Sequence, residues 1–443
     1  MVELVQRDTI AAIATPVGAG GIGIIRISGW KLESYAVQLF GKVPTPRVAY
    51  FTAFRDEKGQ ILDEGLVLYF PSPHSYTGED VLELQGHGGT IVLNAVLHRC
   101  LQLGARIAKP GEFTYRAYLN QKLDLVQAES VVDLIHASSI EAVKCATRSL
   151  QGEFSTQIFR LVEHLETLRV QIETALDFAD EALDFIQQQD IAQRLATLRQ
   201  DIAAIEQASQ RGSVLREGIH LVLVGQPNVG KSSLLNQLAG NDRAIVTPVA
   251  GTTRDTIRES LLIEGIVFHV IDTAGLRETM DPVEQAGIDR TRRAIEQADV
   301  VLLLADARNP QTSDSVMKEL PQQIPCLRVF NKADLLAVDW PVETNACYIS
   351  AKTGQGCDHL RRVLVGMVAG QVENSSAFLA RSRHLDALRQ AKEYVSCASE
   401  KFAWLELMAE DLRLAQVALM EITGPKDADD LLGKIFSEFC IGK

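Results

Sequence analysis

The sequence predicts a multidomain protein built from an α+β N-terminal domain, an all-α helical domain, and a doubly wound α/β domain inserted into the helical one. Three observations carry this expectation. At 443 residues the chain exceeds what one hydrophobic core organises, so about two to four domains are expected. Its texture shifts from short β-rich runs to long helix-forming runs, and then to an alternating βα pattern. The C-terminal stretch returns to helix-forming composition, and its natural packing partner is the earlier helical segment.

Residues 1–118 alternate β-rich runs (ATPVGAGGIGIIRISG, EGLVLYF, DVLELQGHGG) with turn clusters such as PSPHSYTGED and KPGEF. Residues 119–215 hold runs such as LVQAESVVDLIHASSIEAVKCATRSL, almost free of Gly and Pro and apolar at helical spacing. Residues 216–379 open on the apolar strand IHLVLVG and read as a complete doubly wound domain. Residues 380–443 carry amphipathic helical runs again, ending in CIGK.

Hydrophobic residues make up 46% and charged residues 23% of the chain, the balance of a soluble globular protein. No stretch approaches the roughly 20 apolar residues of a membrane helix, and MVELVQRDTI lacks a basic region followed by an apolar one. Seven scattered cysteines form neither a disulfide framework nor a CxxC metal site, so a cytoplasmic location is expected. The net charge of −13 excludes a protein that coats nucleic acid, and any RNA contact must be local. Residues 119–215, with 15 acids against 8 bases, hold much of the acidity.

The strand LVLVG runs into GQPNVGKSSLLNQL, which satisfies Gly-x(4)-Gly-Lys-Ser with a helix following at once. Gly225 and Gly230 let the backbone curl so that amides and the helix dipole face phosphates. Lys231 reaches the β- and γ-phosphates, and the Ser232 hydroxyl suits Mg²⁺. IDTAG then ends an apolar strand in Asp272, whose carboxylate suits the Mg²⁺ shell, with the Gly275 amide placed to sense the γ-phosphate. FNKAD places Asp334 to accept two hydrogen bonds from a guanine edge, a donor pair that adenine lacks. The backbone of Ser350, Ala351 and Lys352 contacts the base from the opposite side.

Together these resemble the G motifs of the GTPase superfamily, and by that resemblance GTTRD (Gly251 to Asp255) is the γ-phosphate switch, with Thr253 the second Mg²⁺ ligand. The GTP-contacting residues expected are Asn228, Val229, Gly230, Lys231, Ser232 and Ser233, then Thr247, Pro248, Val249, Ala250, Gly251, Thr252 and Thr253. Asp272, Thr273, Ala274 and Gly275 follow, and then Asn331, Lys332, Asp334, Ser350, Ala351 and Lys352. Leu276 stands where Ras-like GTPases carry a glutamine, and a leucine cannot orient water. A carboxylate of LRETMDPVEQAG must serve instead, and Glu278, Asp281 and Glu284 all qualify on chemistry.

From end to end the chain resembles the MnmE (TrmE) family of tRNA-modification GTPases. The matching stretches include DTIAAIATPVGAGGIGIIRISG, SYTGEDVLELQGHGG, PGEFTYRAYLNQKLDLVQAE, the inserted G domain and the terminal DLLGKIFSEFCIGK. The resemblance implies a folate-binding N-terminal domain that also forms a homodimer, a split helical domain, and G domains that hydrolyse GTP when two of them meet. It implies K⁺ in place of an arginine finger, held by Asn228 and by the carbonyls of Thr247, Val249 and Thr252, with Glu284 positioning the water. A cation beside the phosphates stabilises the transition state as a guanidinium does.

The family works with a FAD- and NADH-using partner, MnmG, in a heterotetramer. It installs a carboxymethylaminomethyl or aminomethyl group at C5 of the wobble uridine of tRNA, drawing one carbon from formyl- or methylene-tetrahydrofolate. Arg26, Glu83, Lys122 and Lys443 match its folate positions; Arg and Lys suit the glutamate tail and a carboxylate suits the aminopterin edge. Cys440 matches its tail cysteine. Ala19 departs from the family, which carries Arg in that glycine-rich loop. The competing expectation is an Era-like ribosome-assembly or signalling switch, which shares the G motifs but has no use for CIGK or QGHGG.

Overall fold

The computed structural model describes residues 8–16, 18–177, 185–239, 259–272, 295–296, 298–318, 320–321, 324–336, 340, 346–369, 378–424, 435–436, 439 and 442. They fall into two compact units, Met1–Val132 with Met420–Lys443, and Asp133–Leu419. The architecture is the mixed one expected: an α+β sheet domain, long helices, and a doubly wound α/β sheet.

The first unit contains a six-stranded sheet in the order β3-β4-β5-β2-β1-β6. Its strands are β1 (Ile10–Ile13), β2 (Gly20–Gly29), β3 (Tyr50–Arg55), β4 (Ile61–Phe70), β5 (Asp80–Gly88) and β6 (Arg106–Ile107). Only the β1–β6 pairing is parallel. Because side chains alternate along a strand, IGIIRIS sends Ile25 and Ile27 to one face and Arg26 and Ser28 to the other. The first face packs with Leu39, Leu82, Leu84, Leu93 and Val96 into an apolar core. The second face carries Ile10, Ala12 and Phe113, and its polar groups pair with one another.

Arg116 on helix Glu112–Leu119 is buried and donates to Glu79 Oε2 (3.1 Å), Glu112 Oε1 (3.0 Å) and Asp8 Oδ1 (2.7 Å). Ser28 Oγ donates to Glu79 Oε2 at 2.8 Å, and Arg106 Nη1 donates to Glu112 Oε2 at 2.7 Å. Burial would raise the Glu112 carboxyl, but Arg106, the Lys109 amide and Arg116 together hold it at about 2 against an ordinary 4.5. The cluster is compensated internally, the condition under which buried charge is tolerated.

The second unit holds long helices and a second sheet. Along helix Glu153–Asp177 the buried residues Phe154, Ile158, Leu161, Leu165, Leu168 and Ile172 recur at alternating steps of four and three, which is one helical stripe. Helix Phe185–Glu217 repeats the pattern with Ile191, Leu195, Leu198, Ile202 and Ile205, and helix Ser382–Ala398 packs along it. A Cβ on Gly212 would lie 1.7 Å from the Phe378 carbonyl oxygen, so only glycine lets the chain at Phe378 return against this helix.

The second sheet runs β12-β11-β10-β7-β9-β8. Its strands are β7 (Ile219–Gly225), β8 (Glu259–Ile263), β9 (Ile266–Asp272), β10 (Val300–Asp306), β11 (Cys326–Asn331) and β12 (Ala346–Tyr348). All pairings are parallel except β8–β9. Continuous apolar runs such as IHLVLVG and VVLLLAD are what a sheet buried on both faces requires. From β7 the chain visits β8 and β9 on one side, then β10 to β12 on the other. The β7/β10 border is therefore the switch point, where ligands of such sheets bind beyond the strand C-termini.

The charge cluster sets the acid behaviour of the first unit. A carboxyl depressed on folding adds stability that is complete above its unfolded value and is lost as pH falls through its folded one. Protection factors of amides in helix Glu112–Leu119 should therefore drop roughly tenfold to a hundredfold between pH 5 and pH 2. Glu112→Gln should lower them at pH 7 and flatten that dependence, as hydrogen exchange will read.

Candidate nucleotide site

Four strand ends converge at the switch point. β7 ends in Gly225 and passes through the loop 226–230 into helix Lys231–Ala239. Gly225 lies against the next strand, where a Cβ would meet the Leu304 carbonyl oxygen at 2.5 Å. Gly230 has φ +98°, and a Cβ there would lie 2.3 Å from Asn331 Nδ2. Asn228 takes φ +64°, a left-handed geometry that asparagine tolerates better than most residues. Its side chain is exposed, as are the side chains of Ser232 and Ser233 on the first helical turn, while Val229 is buried. Lys231 Nζ donates to the Gly225 carbonyl at 2.8 Å, arching back over the loop.

The guanine-type motif sits on β11. Asn331, 3% exposed, donates from Nδ2 to the Val229 carbonyl at 2.9 Å and accepts at Oδ1 from the Ala351 amide at 2.9 Å. One carboxamide therefore ties the phosphate loop to the Ser350–Lys352 loop. Lys332, at φ +64°, donates from Nζ to the Asn228 carbonyl at 2.9 Å and to Asp306 Oδ2 at 3.0 Å. Asp334 lies exposed on the short 3₁₀ turn Ala333–Leu335. The Ser350 hydroxyl accepts from the Thr353 amide at 3.2 Å, and the Ala333 amide donates to the Ile349 carbonyl at 3.0 Å, so the two loops are locked together. Lys352 is exposed at their edge.

The structure therefore brings together Asn228, Val229, Gly230, Lys231, Ser232, Ser233, Asn331, Lys332, Asp334, Ser350, Ala351 and Lys352. Asp272 closes β9, which pairs beside β7 with Leu223 opposite Asp272. Thr247, Pro248, Val249, Ala250, Gly251, Thr252, Thr253, Thr273, Ala274, Gly275, Glu278, Asp281, Glu284, Cys440 and Lys443 lie outside the described residues. One site residue that the motifs do not announce is Asp306, the last residue of β10. Its only signal in the sequence is a carboxylate closing the apolar run VVLLLAD.

In the first unit Arg26 and Glu83 are cross-strand neighbours on β2 and β5. Arg26 Nε donates to Glu83 Oε1 at 2.9 Å and Nη1 to the Gly442 carbonyl at 3.4 Å. The guanidinium lies over the rings of Tyr76 (5.5 Å) and Phe113 (5.8 Å). Lys122 is exposed, and its Cγ is 3.3 Å from where a Gly78 Cβ would stand. Arg26 and Glu83 thus form an ion pair across the two strands. Among the described residues, no group of three or more His, Cys, Asp or Glu could hold a metal, and no helix is long and apolar enough to cross a membrane.

A sheet of this order, parallel but for one edge strand, a glycine loop running into a helix at its switch point and an asparagine-locked loop beside it define a P-loop GTPase domain. Two family models match the chain, the GTP-binding protein TrmE N-terminus over residues 9–122 and the MnmE helical domain over residues 125–440, a span that encloses this nucleotide domain. The tRNA modification GTPase MnmE of Nitrosomonas europaea is 56% identical over 454 residues, covering 99% of this chain and 100% of that one. The MnmE of Nitrosomonas eutropha is 56% identical with 99% and 100% covered, and that of Thiobacillus denitrificans 53% identical with 99% and 98% covered. This chain belongs to the MnmE family of tRNA modification GTPases.

The loop geometry makes Gly230 a sharp test of the site. Gly230→Ala should lower GDP affinity by roughly a hundredfold or more. It should also lower the stability of the nucleotide-free domain by about 1–3 kcal/mol, because an L side chain is strained at this φ and meets Asn331. Fluorescent-GDP titration and chemical denaturation measure the two effects.

Proposed function

We propose that this chain is a K⁺-activated GTPase that acts in tRNA modification, installing the carboxymethylaminomethyl or aminomethyl group at C5 of the wobble uridine. The observation that carries the reading is the Asn331 tether, which joins a phosphate loop to a base loop in a chain matching MnmE relatives along its whole length. The nucleotide domain, residues 216–379, interrupts a helical domain formed by 119–215 and 380–443. Packing of helix Ser382–Ala398 on helix Phe185–Glu217 supports that arrangement. Residues 1–118 form the folate-binding and homodimerising domain.

The residues present suit the groups the family implies. The loop from Gly225 runs directly into the N-terminus of helix Lys231–Ala239, where backbone amides and the helix dipole suit a phosphate chain. Lys231 would exchange its carbonyl partner for phosphate oxygens, and Asp334 would take the guanine edge. Mg²⁺ would be held by the Ser232 hydroxyl with Thr253, and would neutralise charge on the phosphates. K⁺ would be held by the exposed Asn228 amide oxygen with the carbonyls of Thr247, Val249 and Thr252. Glu284 would accept a hydrogen bond from the attacking water and orient it.

In the N-terminal domain Glu83 suits the N–H edge of a pterin. Arg26 anchors Glu83 from the neighbouring strand, and Lys122 and Lys443 are the cations available to a glutamate tail. Tetrahydrofolate would supply the one-carbon unit, a MnmG-type partner would supply FAD chemistry in a heterotetramer, and Cys440 would serve as the tail thiol. The acidity of residues 119–215 supports a partner that carries most of the RNA-facing charge.

The test is GTP turnover in K⁺ against Na⁺ at equal ionic strength, with Glu284→Ala alongside. Turnover should rise at least about tenfold in K⁺, and the substitution should remove about 10²–10⁴-fold of it, the range for loss of a positioned base. Equal rates in both salts would leave a GTPase but remove the reason for assigning Asn228 and Glu284, and a binding-switch reading of the chain would gain ground.

A further inference from the structure

We infer that Asp306 is a positioning residue of the nucleotide site, acting through Lys332 on the phosphate loop, with Arg308 fixing its carboxylate from the solvent side. The inference rests on the GTPase reading above and adds to it a residue outside the motifs.

Asp306 is the C-terminal residue of β10, beside β7 at the switch point and opposite Asn331 in the parallel register with β11. The chain returns to that level at Lys332, one residue beyond the end of β11. Both carboxylate oxygens of Asp306 are engaged. Oδ1 accepts from the Arg308 amide (3.0 Å) and from Arg308 Nε (2.9 Å). Oδ2 accepts from Arg308 Nη2 (2.7 Å) and from Lys332 Nζ (3.0 Å). The Arg308 pair is bidentate, the geometry in which a guanidinium fixes a carboxylate in orientation as well as in charge.

The Lys332 ammonium has three donors, and one of them reaches the Asn228 carbonyl at 2.9 Å. A relay thus runs from Arg308 through Asp306 and Lys332 to the residue at the tip of the phosphate loop. The Asp306 side chain is 15% exposed, Lys332 32% and Arg308 51%, so screening weakens the relay from its outer end inward. The Arg308 side chain holds the Asp306 carboxyl far below the ordinary carboxylate range; burial opposes this, while the Arg308 amide and Lys332 reinforce it. The same contacts favour the ionised carboxylate, and with both its oxygens engaged the relay is a strut.

A neutral carboxamide at 306 keeps the shape of the side chain but turns one acceptor into a donor facing Lys332 or Arg308. Lys332 then loses its charge partner, and Asn228 loses its tether from the β11 side.

The experiment is a double-mutant cycle on the full chain, read by titration with fluorescent GDP. Asp306→Asn should weaken GDP about tenfold, the loss of one charged hydrogen bond. Because Asp306 acts through Lys332, Asp306→Asn added to Lys332→Ala should cost no more than about twofold beyond Lys332→Ala alone. Arg308→Ala should cost about threefold in the wild type and nothing on Lys332→Ala, and it decides the matter if Asp306→Asn does not fold. Additive losses, or a variant at 306 or 308 that binds GDP like the wild type, would overturn the relay while leaving the GTPase reading intact. A wild-type chain that binds no guanine nucleotide would remove both.

Discussion

The nucleotide end of the second sheet depends on one buried carboxamide. Asn331 makes two hydrogen bonds that point in opposite directions, one to the Val229 carbonyl and one from the Ala351 amide, each at 2.9 Å. A carboxamide is the smallest side chain that carries a donor and an acceptor on one planar group. Aspartate would set a carboxylate oxygen against the Val229 carbonyl, and alanine would leave both backbone groups unpartnered at roughly 1–3 kcal/mol each. The phosphate loop and the base loop are distant in sequence and have no ladder between them. Asn331 links the two loops directly, and Lys332 adds a second tie from the same strand end to the Asn228 carbonyl.

That tether works because β7, β10 and β11 are parallel. Strands running in one direction deliver Gly225, Asp306 and Asn331 to the same edge, and the chain reversal around β7 opens a crevice there. The apolar runs that build these strands have no alternation, since both faces are covered, and Leu221, Val222, Leu223 and Val224 are each at most 1% exposed. This is why the second sheet was so legible in the sequence. Strand, loop and helix are contiguous in LVLVGQPNVGKSSLLNQL, and each base-side motif is a strand end followed by a turn. Chemistry concentrated in short contiguous segments survives being read one residue at a time.

Interactions that depend on register do not. Arg26 and Glu83 are 57 residues apart, and only the pairing of β2 with β5 makes them neighbours. Read singly they are an isolated base and an isolated acid; the register makes them an ion pair. The same holds for Arg116, Arg106, Glu79 and Glu112. Glu79 and Glu112 lie in stretches that read as turn clusters, PSPHSYTGED and KPGEF, yet in the fold they form a closed ionic cluster with Arg106 and Arg116 beneath the sheet's second face. The alternation of IGIIRIS announces a two-faced strand. What it does not announce is that the polar face is covered too, by helix Glu112–Leu119, so that every charge on it must find a partner.

Asp306 belongs to this second kind of residue, and the backbone around it shows why it matters. Two non-glycine residues at the site, Asn228 and Lys332, both sit at φ +64°. A left-handed asparagine is tolerated because its short polar side chain suits that region, whereas a left-handed lysine costs about 1 kcal/mol or more. Such a residue persists only where its surroundings over-determine it. For Lys332 they do so at both ends: its backbone is held between Asn331 and the 3₁₀ turn, and its ammonium is held by Asp306 and by the Asn228 carbonyl. The two strained residues thus hold each other, one by donating and the other by accepting. These contacts hold the phosphate loop from within the chain, and a loop held by its own side chains costs less to order on binding.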